Sequence, residues 1–225
     1  MTPSSRVVSA AGGALYVAII ALGVCEEFFI RGRLIVAGDA VATAKNLEAL
    51  QPLWRAGVAS ELVLLICAVA LTAIFFVLLR PVSRGLALMM VFFNLVSIAV
   101  EGVAALFLAV ALFPLGDAAY LKAFDSGQLA AMTSMSIRVH GYGFSVALIF
   151  FGCECLLLGY LIFKSGYLPK TIGILMAAAG LSYLTHSFTL IAVPRLGSVL
   201  FPAIFLPAFV GESSFAMWLL LKGVK

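Results

Sequence analysis

Long, continuous apolar runs broken by short polar or basic connectors set the pattern of this chain. The runs fall at about 7–30, 57–79, 85–113, 136–163, 171–193 and 199–221. Each reaches the roughly 20 residues that an α-helix needs to cross a hydrocarbon core of about 30 Å. None shows the strict alternation of a membrane β-strand, and in lipid only helices or closed barrels satisfy their own backbone. The pattern predicts an all-α fold, a single domain over residues 1–225 built as a bundle of six transmembrane helices. MTPSSR ahead of Val7 looks at first like the start of a signal peptide. The apolar run continues to Ile30, too long for a signal's apolar region, and reads as an uncleaved first span.

Three connectors are short and sharply marked: RPVSR (80–84), KSGYLPK (164–170) and PRLG (194–197). Their Pro, Gly and basic residues stop helices and suit a headgroup layer. The first connector is longer. Gly38-Asp39 predicts an N-cap, and Val41, Ala44, Leu47 and Leu50 recur at helical spacing, so a short interfacial helix follows the first span, closed by Pro52 and Trp54. The connector over 116–135 is similarly mixed in character.

Composition sharpens this picture. Hydrophobic residues make up 64% of the 225 and charged residues 11%, against about a quarter charged in a soluble domain. Lipid is therefore the solvent for most of the surface, and the bilayer is the first partner. The net charge of +4 is spread over connectors with no basic run, which excludes a nucleic-acid-binding reading. Cys25, Cys67, Cys153 and Cys155 all sit in apolar runs and build neither a disulfide framework nor a metal-binding CxxC. Six spans put both termini on one side, with Arg6, Arg80, Arg84, Lys164, Lys170, Lys222 and Lys225. The positive charges balance across the two sides, but these are packed into very short connectors, where the positive-inside rule works best, so the termini are expected on the cytoplasmic side.

Ionisable groups inside the runs carry the functional information, because such groups are costly in lipid and face the bundle interior or a cavity. At about 1.5 Å per residue, Glu101 and His186 lie about 25 Å above the helix ends marked by Arg84 and Lys170. Glu26 and Glu27, Glu61, and Arg138 with His140 reach a similar outer level from their own helices. Glu212, Asn94 and Glu154 lie nearer the midplane. Glu26 and Glu27 point about 100° apart on an α-helix, and Glu27 is assigned to the polar interior.

Several chemistries fit such a set. His140 and His186 with Glu61 and Glu101 supply ligands for a catalytic zinc, which needs three protein ligands and an open position. No HExxH-like spacing supports it, so no metal is assigned. Haem ligation would have only the same two histidines, no nucleophile motif appears, and no cofactor is assigned. Gly141 and Gly143 in HGYGF, and Pro202 and Pro207 in FPAIFLPAF, are candidate helix breaks of the kind transporters use. The AAAG run at 177–180 gives the fifth helix a small-residue face suited to close packing.

The stretches FFIRGRLIVAGDAVATAKNL, VLLRPVSRGLAL, HGYGFSVALIFFGCECLLLGYLIFKSGYLPKTIGIL and FPAIFLPAFVGESSFAMWLLLKG resemble the membrane-protein family catalogued as domain of unknown function 4386, from about Ala10 to Val224. The resemblance implies a six-span protein of the bacterial inner membrane. It brings no catalytic residues to carry over. Its pattern includes an arginine and an aspartate matching Arg31 and Asp39 and a histidine matching His140. The position of His186 is commonly acidic in the family, which weakens a two-histidine metal or haem site.

Taken together, these readings point to a polar cavity open to the outer leaflet. Its walls are Glu27, Glu61, Glu101, Arg138, His140 and His186, and its roof is the connector from Arg31 through Asp39 to Arg55. The expected ligand is a small amphiphile whose anionic head meets Arg31, Arg33 and Arg138. A metal-dependent intramembrane hydrolase and an accessory subunit docked on another membrane protein are the alternatives.

Overall fold

The computed structural model describes residues 3–193 and 203–224. Its helices are α1 (Pro3–Cys25), α2 (Gly32–Leu34), α3 (Ala40–Ala49), α4 (Gln51–Leu79), α5 (Arg84–Val110), α6 (Ser126–Ser165), α7 (Lys170–Ala192) and α8 (Leu206–Leu221). A π-helical segment, Glu26–Arg31, joins α1 to α2, and no strand occurs among the described residues. Six helical stretches are long and apolar enough to cross a membrane: Arg6–Leu34, Gln51–Leu79, Arg84–Leu115, Ser126–Ser165, Lys170–Ala192 and Ala203–Leu221. The protein is thus an all-helical, multi-pass membrane protein, as the apolar runs predict. Side chains such as Phe28, Phe29, Ile66 and Leu106 point outward, a surface suited to lipid rather than water.

Element boundaries depart from the runs where local chemistry outweighs hydropathy. The fourth span starts at Ser126 rather than near 136, because Asp125 and Gln128 form a reciprocal cap: Gln128 N–H donates to Asp125 Oδ1 at 2.8 Å and Asp125 N–H to Gln128 Oε1 at 3.0 Å. The second span starts at Gln51 rather than near 57, with Pro52 in its first turn, where a missing N–H is harmless. Gly141 and Gly143 do not break the fourth span; α6 runs through both. Pro207 stands in the first turn of α8 rather than inside a broken helix. The PRLG connector with Arg195, Pro202 and the expected helix start at 199 lie outside the described residues.

The predicted short helix forms as α3. Gly38, at φ 80°, turns the chain into it, and Asp39 Oδ1 accepts from Ala42 N–H at 2.8 Å as its N-cap. Thr43 Oγ1 accepts from Val36 N–H at 2.9 Å and Asn46 Nδ2 donates to Leu34 O at 3.2 Å, which ties α3 back to the end of the first span.

The chain divides into two compact units, Met1–Ile20 with Ile66–Val100 and Ser145–Lys225, and Ala21–Leu65 with Glu101–Phe144. In the first, Tyr16 packs edge-on against Phe75 and Phe215 at ring-centroid distances of 5.7 and 6.3 Å, within a core that includes Leu79, Met90, Leu158, Met176 and Leu219. Here α6 and α7 meet backbone to backbone. A Cβ on Gly159 would lie 2.6 Å from Gly173 O, and one on Gly180 would lie 2.7 Å from Gly152 O. A Cβ on Gly211 of α8 would lie 2.7 Å from Leu175 O. Without a hydrophobic drive between helices in lipid, such close approach through small residues supplies the packing energy.

In the second unit, Trp54 anchors a core with Leu34, Leu47, Leu108, Ala111 and Leu112. Its indole N–H, which would be costly to bury unpaired, donates to Leu108 O at 2.8 Å. Gly143 lets α6 approach α5, since a Cβ there would lie 2.7 Å from Ala104 Cβ.

Candidate functional site

The site grows from the π-helical turn of the second unit. In a π turn the backbone bonds run from residue i to i+5, as in Gly32 N–H to Glu27 O. Side chains five apart are thereby brought over one another, and Arg31 stands over both Glu26 and Glu27. Its Nη2 donates to Glu26 Oε2 at 3.3 Å and its Nη1 lies 3.5 Å from Glu27 Oε2. The same Nη2 makes a close ion pair with Glu61 Oε2 of α4.

Glu61 is held from its other side as well. Its Oε1 lies 3.1 Å from His140 Nε2 of α6. An ionised carboxylate can only accept, so His140 carries a proton on Nε2 in this pair. The imidazole stacks on Phe144 with ring centroids 6.3 Å apart, which fixes its plane. Glu26, Glu61 and His140 are buried at 3%, 2% and 5% exposure. Glu101 of α5 is half-buried and within electrostatic reach of Glu61, Arg31 and Glu26.

One expected orientation is corrected. The Glu27 side chain is 48% exposed and that of Glu26 only 4%, so Glu26, not Glu27, turns inward. The 100° spacing of an α-helix does not hold across a π turn, and the phase of the pair shifts with it. Glu27 keeps its contact with Arg31 from the rim.

Two spaces adjoin these residues. A small pocket lined by Glu26, Ile30, Arg31, Trp54, Gly57, Val58 and Leu108 has room for about one water molecule. Glu26 Oε1, buried, has no hydrogen-bond partner, although the Ser60 hydroxyl stands beside that carboxyl. The second space is an open groove of about 660 Å³ between α4 and the end of α5. Arg55, Ala59, Leu62, Leu112, Phe113, Asp117 and Tyr120 are among its lining.

The remaining predicted residues take other places. Asp39 is exposed and caps α3, and Arg33 and Arg138 are exposed. His186 belongs to the first unit, where its ring lies 4.6 Å from that of Phe205. Glu212 and Glu154, the deeper acids, also lie in the first unit. Glu212 Oε1 accepts a close hydrogen bond from Tyr183 OH, Tyr16 lies beside it, and Cys155 Sγ donates to Glu154 Oε2 at 3.5 Å. Asn94 Nδ2 donates to Thr72 Oγ1 at 2.8 Å. Sequence periodicity gave no sign of Ser60, Tyr16 or Tyr183 as partners; Tyr16 and Tyr183 sit in apolar runs where an aromatic reads as core. Among the described residues, no three or more His, Cys, Asp or Glu side chains are grouped as a metal site.

A family model described as Domain of unknown function (DUF4386) matches residues 11–223. An "Uncharacterized protein" of Archaeoglobus fulgidus is 34% identical over 164 residues, which covers 73% of this chain and 81% of that relative. No solved structure matches.

Proposed function

The chain belongs to the DUF4386 family, and from the groove beside α4 and α5 we propose that it binds a small amphiphile at membrane depth. The groove carries the reading. Its wall is apolar, from Ala59, Leu62, Leu112 and Phe113, and it also bears Arg55, Asp117 and Tyr120. Such a lining suits a ligand with an acyl or similar chain and a charged head. Arg31 does not fit the role of head contact, because its guanidinium already faces three carboxylates. Arg55 is exposed in the groove and forms no ion pair among the described residues, which favours it as the partner of a phosphate or carboxylate head.

Native mass spectrometry of protein purified in mild detergent tests this reading. The wild type is expected to retain a lipid-sized adduct, and Arg55→Ala and the groove-filling Leu62→Trp to lose most of it at unchanged thermal stability. Equal retention in both variants would sink the reading.

The same reading places both termini on the cytoplasmic side of a bacterial inner membrane, supported by Arg80, Arg84, Lys164 and Lys170 in their short connectors. A cysteine at Ser165 is then expected to resist a membrane-impermeant thiol reagent added to intact cells, and ready labelling would reverse the orientation.

A further inference from the structure

We propose that the cluster around Arg31 is a proton-binding site, in which Glu26 carries one exchangeable proton and the adjoining pocket holds the water that delivers it. The inference stands apart from the amphiphile reading and does not depend on it.

The geometry supplies three independent reasons. Glu26 and Glu61 converge on one guanidinium nitrogen, Nη2 of Arg31. With both carboxyls ionised, and with Glu27 at the rim and Glu101 near by, the acids outnumber the fixed positive charge. The imidazole of His140 faces Glu61 rather than Glu26. Charge balance at depth therefore asks for a proton on the cluster, because isolated buried charge is costly.

The second reason is the state of Glu26 itself. Its Oε2 receives Arg31, whereas its Oε1 is buried without a hydrogen bond of its own, the Ser60 hydroxyl standing beside the carboxyl. A bare buried carboxylate oxygen is costly, whereas a protonated Oε1 with a water to receive its hydrogen is satisfied. The third reason is the pocket, which has room for about one water and is lined by Glu26 and Arg31. Its other walls, Ile30, Gly57, Val58 and Leu108, offer no free side-chain donor, and Leu108 O already accepts from Trp54.

The loading step is a simple proton transfer. A hydronium in the pocket gives up one O–H bond, Glu26 Oε1 gains it, and a neutral water remains as acceptor. The groups facing this carboxyl are Arg31 and Glu27 on its own span, Glu61 and the Ser60 hydroxyl on α4, Glu101 on α5, and His140 through Glu61 on α6. Loading at Oε1 leaves Arg31 Nη2 bonded to both Glu61 Oε2 and Glu26 Oε2.

Infrared spectroscopy of the full chain in lipid nanodiscs tests the site through the carbonyl stretch of protonated carboxyls, read against pH and exchange into D2O. The wild type is expected to show a titrating, deuterium-sensitive band that Glu26→Gln removes and Glu27→Gln keeps. An unchanged band in Glu26→Gln would overturn the proposal. Glutamine copies the shape of the protonated acid, so Glu26→Gln is also expected to melt within a few degrees of wild type, whereas Glu61→Gln melts well below it. A Glu26→Gln protein that fails to fold would equally count against a proton on that residue.

Discussion

In the unit that holds Arg31, the buried carboxyls of Glu26 and Glu61 meet a guanidinium and an imidazole. In the unit that holds Tyr16, the described partners of Glu154 and Glu212 are a thiol and phenol hydroxyls. The first arrangement gathers charge beside a space for water. The second gathers neutral donors among helices that touch through glycine backbones. Acidic residues thus serve two ends: one group is set up to exchange charge, the other to hold helices together by hydrogen bonds from neutral donors.

The sharpest way to break this comparison is to remove the cation. Arg31→Met leaves two buried carboxyls without their shared partner, and the loss of one member of a buried ion pair costs about 3–5 kcal/mol. Tyr183→Phe, its counterpart in the neutral group, removes one hydrogen bond, worth about 1 kcal/mol between membrane helices. Reversible unfolding in mixed micelles reads both, and comparable losses would erase the distinction.

A smaller contrast separates the glycines. Gly173→Ala forces a Cβ to 2.7 Å from Gly159 O, and overpacking of this kind costs about 1–3 kcal/mol. Gly141 of α6 has open space where an alanine methyl would stand, with nothing within 4 Å. Gly141→Ala is therefore expected to be neutral or to stabilise by up to about 1 kcal/mol through helix propensity. Melting temperatures of the two variants should move in opposite directions or at least differ by several degrees.

The six spans were legible because length and apolarity answer directly to the thickness of a bilayer. α3 was legible because Gly38 and Asp39 are the residues a turn and an N-cap require. The start of α6 was missed because residues 126–135 are too mixed to register as apolar, yet the Asp125–Gln128 capping box was present to be read. Gly141, Gly143 and Pro207 suggested the kind of helix break that transporters use. In lipid a broken backbone finds no water, so the helix continues through glycine and starts at proline.

The candidate site was half legible. Counting residues from a helix end gives depth, and depth put Glu26, Glu61 and His140 on one level. Depth carries no bearing around the bundle, and so it also put His186 and Arg138 with them. His186 instead belongs to the other unit and Arg138 is exposed. The choice between Glu26 and Glu27 turned on a helical phase that the π turn alters, and no period in the sequence announces such a turn.

That π turn has a further consequence. It is one residue of slack stored inside a membrane helix, and slack of this kind can be drawn out or passed along. Tightening the turn to an α-helix with every residue kept would swing everything beyond it by about 100°. Leu34 would leave its place against Leu47 and Trp54, and Arg31 would no longer stand over Glu26. The spacing of this short stretch is therefore a gauge that sets where the helix ends and which acid its arginine holds.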